Sequence, residues 1–293
     1  SPQNNEGETQ ELDPDHQHER YLKAGQFSVE MPGQLSVEIN TLAFERSIEC
    51  ALHVERPWPA PILDIGCGDG IFAEILFAGN VDTGIDPDAS EVERARALNK
   101  YQELIVCTGD NIPKPDASYN TVFSNSVLEH IPDLMPVLRE VHRLMSDDAR
   151  FYVTIPTDRL EHATFIARVL SAVGLKGLAE RYGRFYNTFW KHFNVHDEKG
   201  WRAIFEEAGF EIEIERPYVP ANFSTLYDLL TPVALPALIA RKLYKRWFLV
   251  PALRPYTAPV LDVLLAGAVK RAVNDHGPGG CLVYYALKKR PLT

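Results

Sequence analysis

The chain has 293 residues, 45% of them hydrophobic and 24% charged, with a formal net charge of −10. That is a globular composition long enough for one large domain or a core with insertions, and its acidic balance argues against a broad phosphate-binding surface, so no nucleic-acid partner is expected. Cys50, Cys67, Cys107 and Cys281 show neither CxxC nor His-rich spacing, which excludes an obvious metal site or disulfide framework and fits a reducing cytoplasm.

In chain order, residues 1–20 are polar and acidic and read as a disordered tail, with no leader pattern. Residues 21–60 read as an N-terminal helical segment with Leu42, Ile48 and Leu52 available for burial, passing into an extended run at Pro57, Pro59 and Pro61. A core over 61–156 opens with Ile62-Leu63-Asp64-Ile65, apolar and β-branched like a central strand. Ile71, Phe72, Ile75 and Leu76 then have helical spacing, with Gly79 as the expected stop.

A second strand is expected at Val81–Ile85. Asp88 with Glu91 three residues on makes a capping-box-like start to a helix ending near Asn99. Further strands are expected at Glu103–Cys107, Tyr119–Ser124 and Phe151–Ile155, and Leu134, Val137, Leu138, Val141 and Met145 share one helical stripe. Residues 157–196 form an aromatic-rich helical insertion. The core continues over 197–217, with a helix through Trp201, Ile204, Phe205 and Ala208 closed by Gly209, then an outer strand at Phe210–Glu215.

A second insertion, 218–279, is expected to be mostly helical and carries seven Lys and Arg against three Asp. Such a basic, apolar, Trp-containing stretch suits a lid over the site or a peripheral membrane contact. No run in the chain reaches the roughly 18 apolar residues of a spanning helix. Residues 280–293 supply the last strand, Cys281–Lys288, and a short tail. Strands alternating with helices imply an α/β fold with a doubly wound, mostly parallel sheet.

Ligands of such sheets bind beyond the carboxyl ends of the strands, near the point where strand order reverses. ILDIGCGDG places Gly66, Gly68 and Gly70 at one such end, where glycine lets a ligand lie on the backbone. Asp86 ends the second strand, where a carboxylate can accept both hydroxyls of a ribose. Gly109-Asp110-Asn111 follows the third strand, and Asn125-Ser126 the fourth. Together these groups point to a nucleoside-bearing ligand. Asp64, two residues before the first glycine, disfavours a pyrophosphate and favours a cation.

These segments resemble the class I S-adenosylmethionine-dependent methyltransferases. ILDIGCGDG is similar to the family's first motif, GIDPD to its second-strand motif, TGDNIP to its adenine-binding segment and SNSVLEHIPD to the segment after the fourth strand. WKHFNVHDEKGWRAIFEEAGFEI is similar to the small-molecule branch. The resemblance implies a Rossmann-like sheet of seven strands, the last antiparallel and inserted beside the outer one, with S-adenosyl-L-methionine as cofactor. It implies that Asp64 and Gly66 face the methionine part, Gly68 lies beneath the cofactor, Asp86 with Pro87 holds the ribose, Asp110 with Asn111 reads the adenine, and Asn125 meets the methionyl end through its backbone. Tyr21 is assigned to close over the cofactor.

The expected reaction is methyl transfer to a small organic or lipid-like acceptor, with oxygen favoured as nucleophile; N- or C-methylation, or a non-catalytic cofactor-binding scaffold on the same fold, are the alternatives. A base-modifying enzyme would carry a D/N-P-P-aromatic stretch after the fourth strand, and Ser124-Asn125-Ser126-Val127 departs from it. His130 and His192 are the candidate bases, because imidazole titrates near neutral pH. No metal is expected, since no histidines or cysteines cluster at ligand spacing.

Overall fold

The structure is a computed structural model that describes residues 46, 48–53, 56–220 and 279–290. Tyr21, the 1–20 tail and residues 221–278 of the second insertion lie outside the described residues. Seven strands form one sheet: β1 (Ile62–Ile65), β2 (Val81–Asp86), β3 (Tyr101–Val106), β4 (Tyr119–Asn125), β5 (Met145–Pro156), β6 (Phe210–Pro220) and β7 (Gly280–Lys289). Their spatial order is β3-β2-β1-β4-β5-β7-β6. The first five run parallel, and β7 lies antiparallel between β5 and β6. Strand order therefore reverses between β1 and β4, which puts the glycine loop and Asn125 at the reversal.

Alternation along the strands builds a core on each face. Val122, Phe151, Val153 and Val283 enter one apolar cluster, and their neighbours Phe123, Tyr152, Leu282 and Tyr284 enter the other. This is the period of two that a strand imposes on side-chain direction. The first cluster is roofed by α3 (Leu134–Leu144) and α7 (Glu198–Glu207), which contribute Leu138, Val141, Trp201 and Phe205. The second is roofed by α1 (Ile71–Leu76), by α2 (Ala89–Ala97) through Ala95, and by the helical residues 48–53 through Ile48 and Leu52.

Several boundaries differ from the sequence expectation. Helix α1 stops at Leu76 because Phe77 is already extended (φ −97°, ψ 131°), two residues before Gly79. Strand β3 starts at Tyr101, which is buried and pairs in register with Val81 of β2. Met145 is buried but belongs to β5: it leaves the helical stripe at ψ 138° and pairs with Tyr119. Strand β6 runs on to Pro220, so the expected start of the second insertion at 218 falls within a strand. Within 157–196 lie α4 (Arg159–Ala163), α5 (Phe165–Ala172) and α6 (Lys176–Trp190).

Candidate cofactor and acceptor site

The loop after β1 is folded by its own amides. Gly66 and Cys67 both donate to the Ile85 carbonyl at 2.9 Å, and Gly70 donates to Cys67 at 3.0 Å. Gly66, Gly68 and Gly70 take positive φ values of 74°, 52° and 80°, a region that costs side-chain-bearing residues about 1 kcal/mol or more. The first two glycines serve different ends. A Cβ on Gly66 would stand 2.5 Å from Val127 Cγ2, so its glycine admits the segment that follows β4. A Cβ on Gly68 would meet nothing within 4 Å, so that glycine leaves open space above the backbone.

Asp86 ties β2 to this loop. Its Oδ2 accepts from Gly68 N at 3.0 Å, and its Oδ1 accepts from Asp88 N at 2.8 Å. Each carboxylate oxygen has two lone pairs, which leaves acceptor capacity for ribose hydroxyls. Asp88 caps α2 by accepting from Ser90 N at 2.8 Å. Glu91 is engaged with Arg94, so the backward arm of the expected capping box is supplied by Asp86 instead. Pro87 is exposed between these two carboxylates.

Asp64 is 3% exposed. Its Oδ2 accepts from Tyr101 Oη at 2.5 Å. Burial pushes its carboxyl up to about 7, the Tyr101 bond opposes that shift, and the charge of Asp86 adds to it. A cation placed against Asp64 would restore its ionised form. Asp110 and Asn111 occupy the turn beyond β3 with exposed side chains, on the same end of the sheet as the glycine loop.

At the end of β4 the Asn125 side chain is engaged at both its amide nitrogen and its oxygen. Its Nδ2 donates to Glu49 Oε2 at 2.7 Å and its Oδ1 accepts from Thr154 Oγ1 at 2.7 Å. Ser126 Oγ and Tyr218 Oη both donate to Glu49 Oε1 at 3.1 Å. Glu49 is wholly buried, and desolvation raises its pKa against the pull of these hydrogen bonds. Its sequence context does not single it out, since its neighbours one turn away are Arg46, Leu52 and His53, a mixed face.

The fold brings His130 and His192 together, 62 positions apart in the chain, with ring centroids 5.1 Å apart. His130 closes a 3-10 turn over Leu128–His130, and His192 follows α6. Backbone and side-chain hydrogen bonds bind the two segments: Phe193 N and Asn194 N donate to the Glu129 carbonyl at 2.7 and 3.1 Å, and Asn194 Nδ2 donates to the Ile131 and Leu128 carbonyls at 2.6 and 3.4 Å. His130 Nδ1 lies 3.3 Å from the Lys191 carbonyl. His192 Nδ1 lies 3.2 Å from Asn187 Oδ1, and Asn187 Nδ2 donates to Glu161. An oxygen beside each Nδ1 assigns the proton there and leaves Nε2 of each ring with its lone pair.

Burial lowers both imidazole pKa values, that of His192 to about 4 with help from His130. The expectation of no metal rested on spacing along the chain. Folding places one potential ligand atom each from Glu129, His130 and His192 within 4.8 Å of one another. Two other described histidines, His142 and His196, pack against aromatic rings of the core. His196 packs edge-on against Trp201 at 5.1 Å, and the neighbouring Asp197 caps α7 by accepting from Gly200 N at 2.8 Å. His142 packs against Phe210. A shallow groove lined by Pro61, Asp82, Lys114 and Tyr119 lies at the amino ends of the strands, away from all these groups.

A methyltransferase-domain family model matches residues 38–214. The rifamycin relative, 27-O-demethylrifamycin SV methyltransferase of Amycolatopsis mediterranei, is 32% identical over 133 residues, covering 41% of this chain and 43% of that protein. The ubiquinone biosynthesis O-methyltransferase of Vibrio campbellii is 32% identical over 97 residues, covering 31% of this chain and 41% of that protein. The chain thus spans less than half the length of these two relatives. Among solved structures, the [4+2]-cyclase SpnF superposes with a TM-score of 0.54 at 14% identity, covering 94% of this chain and 96% of that one. A SAM-dependent methyltransferase of Thermotoga maritima gives 0.51 at 16% identity, with 94% and 96% covered. These two likenesses speak to the fold. With the family model spanning more than half of the sequence and the glycine loop and Asp86 in place, the chain belongs to the class I S-adenosylmethionine-dependent methyltransferases.

Proposed function

We propose that this chain transfers a methyl group from S-adenosylmethionine to a small organic or lipid-like acceptor, with an oxygen atom as the favoured nucleophile. The observation that carries the reading is the cradle at the strand-order reversal: Asp86 bound to Gly68, open space above Gly68, and the buried Asp64 beside it. The two O-methyltransferase relatives support the choice of oxygen. N- or C-methylation is the second reading.

S-Adenosylmethionine supplies a methyl group on a cationic sulfur, and the leaving group is neutral. The chain's part is then mainly positioning, which can supply up to roughly 10 kcal/mol of the barrier. In this reading Asp86 and Pro87 seat the ribose, Asp110 and Asn111 the adenine, and Gly66, Asp64 and the Asn125 backbone the amino-acid end. Glu49 holds the Asn125 side chain so that its backbone faces the cleft. His130 and His192 face the acceptor, and Nε2 of His192 takes the proton from an acceptor hydroxyl. Tyr21 closes over the cofactor.

Exposed apolar side chains on the 157–196 insertion, among them Val173, Leu178, Phe185 and Phe189, support an acceptor with an apolar portion. We assign the rest of the second insertion, residues 221–278, to a lid over the site or to contact with a membrane surface, in a chain that works in the cytoplasm. No described helix is long and apolar enough to cross a membrane. The test is an acceptor screen read by mass: a small-molecule pool incubated with protein and cofactor should yield a product heavier by one methylene. Cofactor turnover with product only on nucleic acid or protein overturns the reading.

A further inference from the structure

We infer that Glu129, His130 and His192 form a site for one divalent transition-metal cation of the zinc class, set beside the methyl-transfer cleft. Two imidazoles and a carboxylate form a donor set that zinc and its neighbours favour, and three protein ligands leave a coordination position open. The ligand atoms lie within 4.8 Å of one another. Around a tetrahedral ion with ligand bonds near 2.1 Å they would sit about 3.4 Å apart. His130 Nε2 and Glu129 Oε1 are already at 3.8 Å, so side-chain rotation closes the rest.

The surroundings carry the inference further than proximity does. Metal-bound histidines almost always donate their other ring N–H to a carbonyl or carboxylate, which fixes tautomer and ring orientation. Both rings here have that partner: the Lys191 carbonyl for His130 and Asn187 Oδ1 for His192. Asn187 is itself oriented, because its Nδ2 donates to Glu161 and so turns Oδ1 toward the ring. The Glu129 side chain is only 3% exposed. Asn194 and Phe193 pin the two ligand-bearing segments to each other through the Glu129 and Ile131 carbonyls, so the site is assembled before any ion arrives.

Resting on the methyltransferase reading, the open position would take an oxygen of the acceptor. Val127, two residues before Glu129, abuts Gly66, which places the triad beside the cofactor loop. A cation-bound hydroxyl loses its proton more readily, so in the loaded chain the proton passes to solvent and not to His192.

The test uses the full chain, stripped with chelator and titrated calorimetrically with zinc chloride alone. One equivalent should bind, and affinity should fall at least tenfold in His192→Ala and in His130→Ala, with thermal melting and S-adenosylhomocysteine affinity retained. Asn187→Ala, which touches no ion, should weaken binding roughly tenfold by freeing the His192 tautomer. Should an alanine variant fail to fold, X-ray absorption on the zinc-loaded wild type decides, with two imidazoles in the first shell expected. No binding, binding unchanged in the histidine variants, or a first shell without two imidazoles overturns the inference. None of these readouts needs methyl transfer, so failure of the proposed activity and failure of this site are separable.

Discussion

Cofactor binding should release a proton at mildly acidic pH, because Asp64 is held protonated in the ligand-free chain. Its carboxyl is pushed up to about 7 by burial. A ligand with a cationic amino-acid end binds best to the ionised form. Below pH 7 that form must first be generated at about 1.4 kcal/mol per pH unit, so affinity should fall roughly tenfold for each unit below 7 and level off above it. Calorimetric titration of S-adenosylhomocysteine between pH 5.5 and 8, in buffers of different ionisation enthalpy, reads both the affinity and the proton.

Asp64→Asn should flatten the profile and weaken binding at pH 8. Stability runs the other way. The folded pKa is raised above the unfolded one, so the contribution is fully present below about pH 4 and is lost as pH rises through about 7. Asp64→Asn should therefore raise the melting temperature at pH 8. Affinity that is flat from pH 5.5 to 8, with no proton released, would refute the reasoning.

Asp86→Ala should lower cofactor affinity at least tenfold while the chain stays folded, since hydrogen bonds to a charged group contribute about 1.5–3 kcal/mol each; an unchanged dissociation constant in calorimetry removes Asp86 from the site. Gly66→Ala and Gly68→Ala should separate. Both carry the strain of a positive φ, but the first also drives a Cβ into Val127 and lowers the melting temperature further, whereas the second, with open space above it, adds a loss of affinity; equal melting losses would contradict the assignment. If residues 221–278 meet a membrane, flotation with anionic vesicles should show salt-sensitive binding that is lost in the double variant Lys242→Glu, Arg246→Glu. Binding that survives that double change, or is absent from the start, leaves the lid.

What the sequence makes legible follows from what local pattern encodes. Alternation in Val122-Phe123 and Tyr152-Val153 declares two buried faces, and the glycine spacing after Ile65 marks the loop, so the sheet and its ligand edge are readable. Tertiary partners are not encoded locally. Nothing near Asp86 says that it also holds Gly68, and nothing near Glu49 announces Asn125, Ser126 and Tyr218. Met145 shows the same limit at an element boundary: its burial suits either a helix stripe or a strand, and pairing with Tyr119 decides. The approach of His192 to Glu129 and His130 depends on how α6 returns to the core, which no spacing along the chain reveals.

The central claim is that one cleft, at the carboxyl ends of β1, β2 and β4, holds the cofactor with its sulfur turned toward His130 and His192. A crystal structure of the complex with S-adenosylhomocysteine tests it most directly. The account predicts ribose hydroxyls within hydrogen-bond reach of Asp86, the amino-acid end over Gly66 and Asp64, and the sulfur aimed at the histidine pair. Ligand seated in the groove beside Asp82 and Tyr119, or bound over Gly68 with its sulfur turned away from His130 and His192, would contradict it.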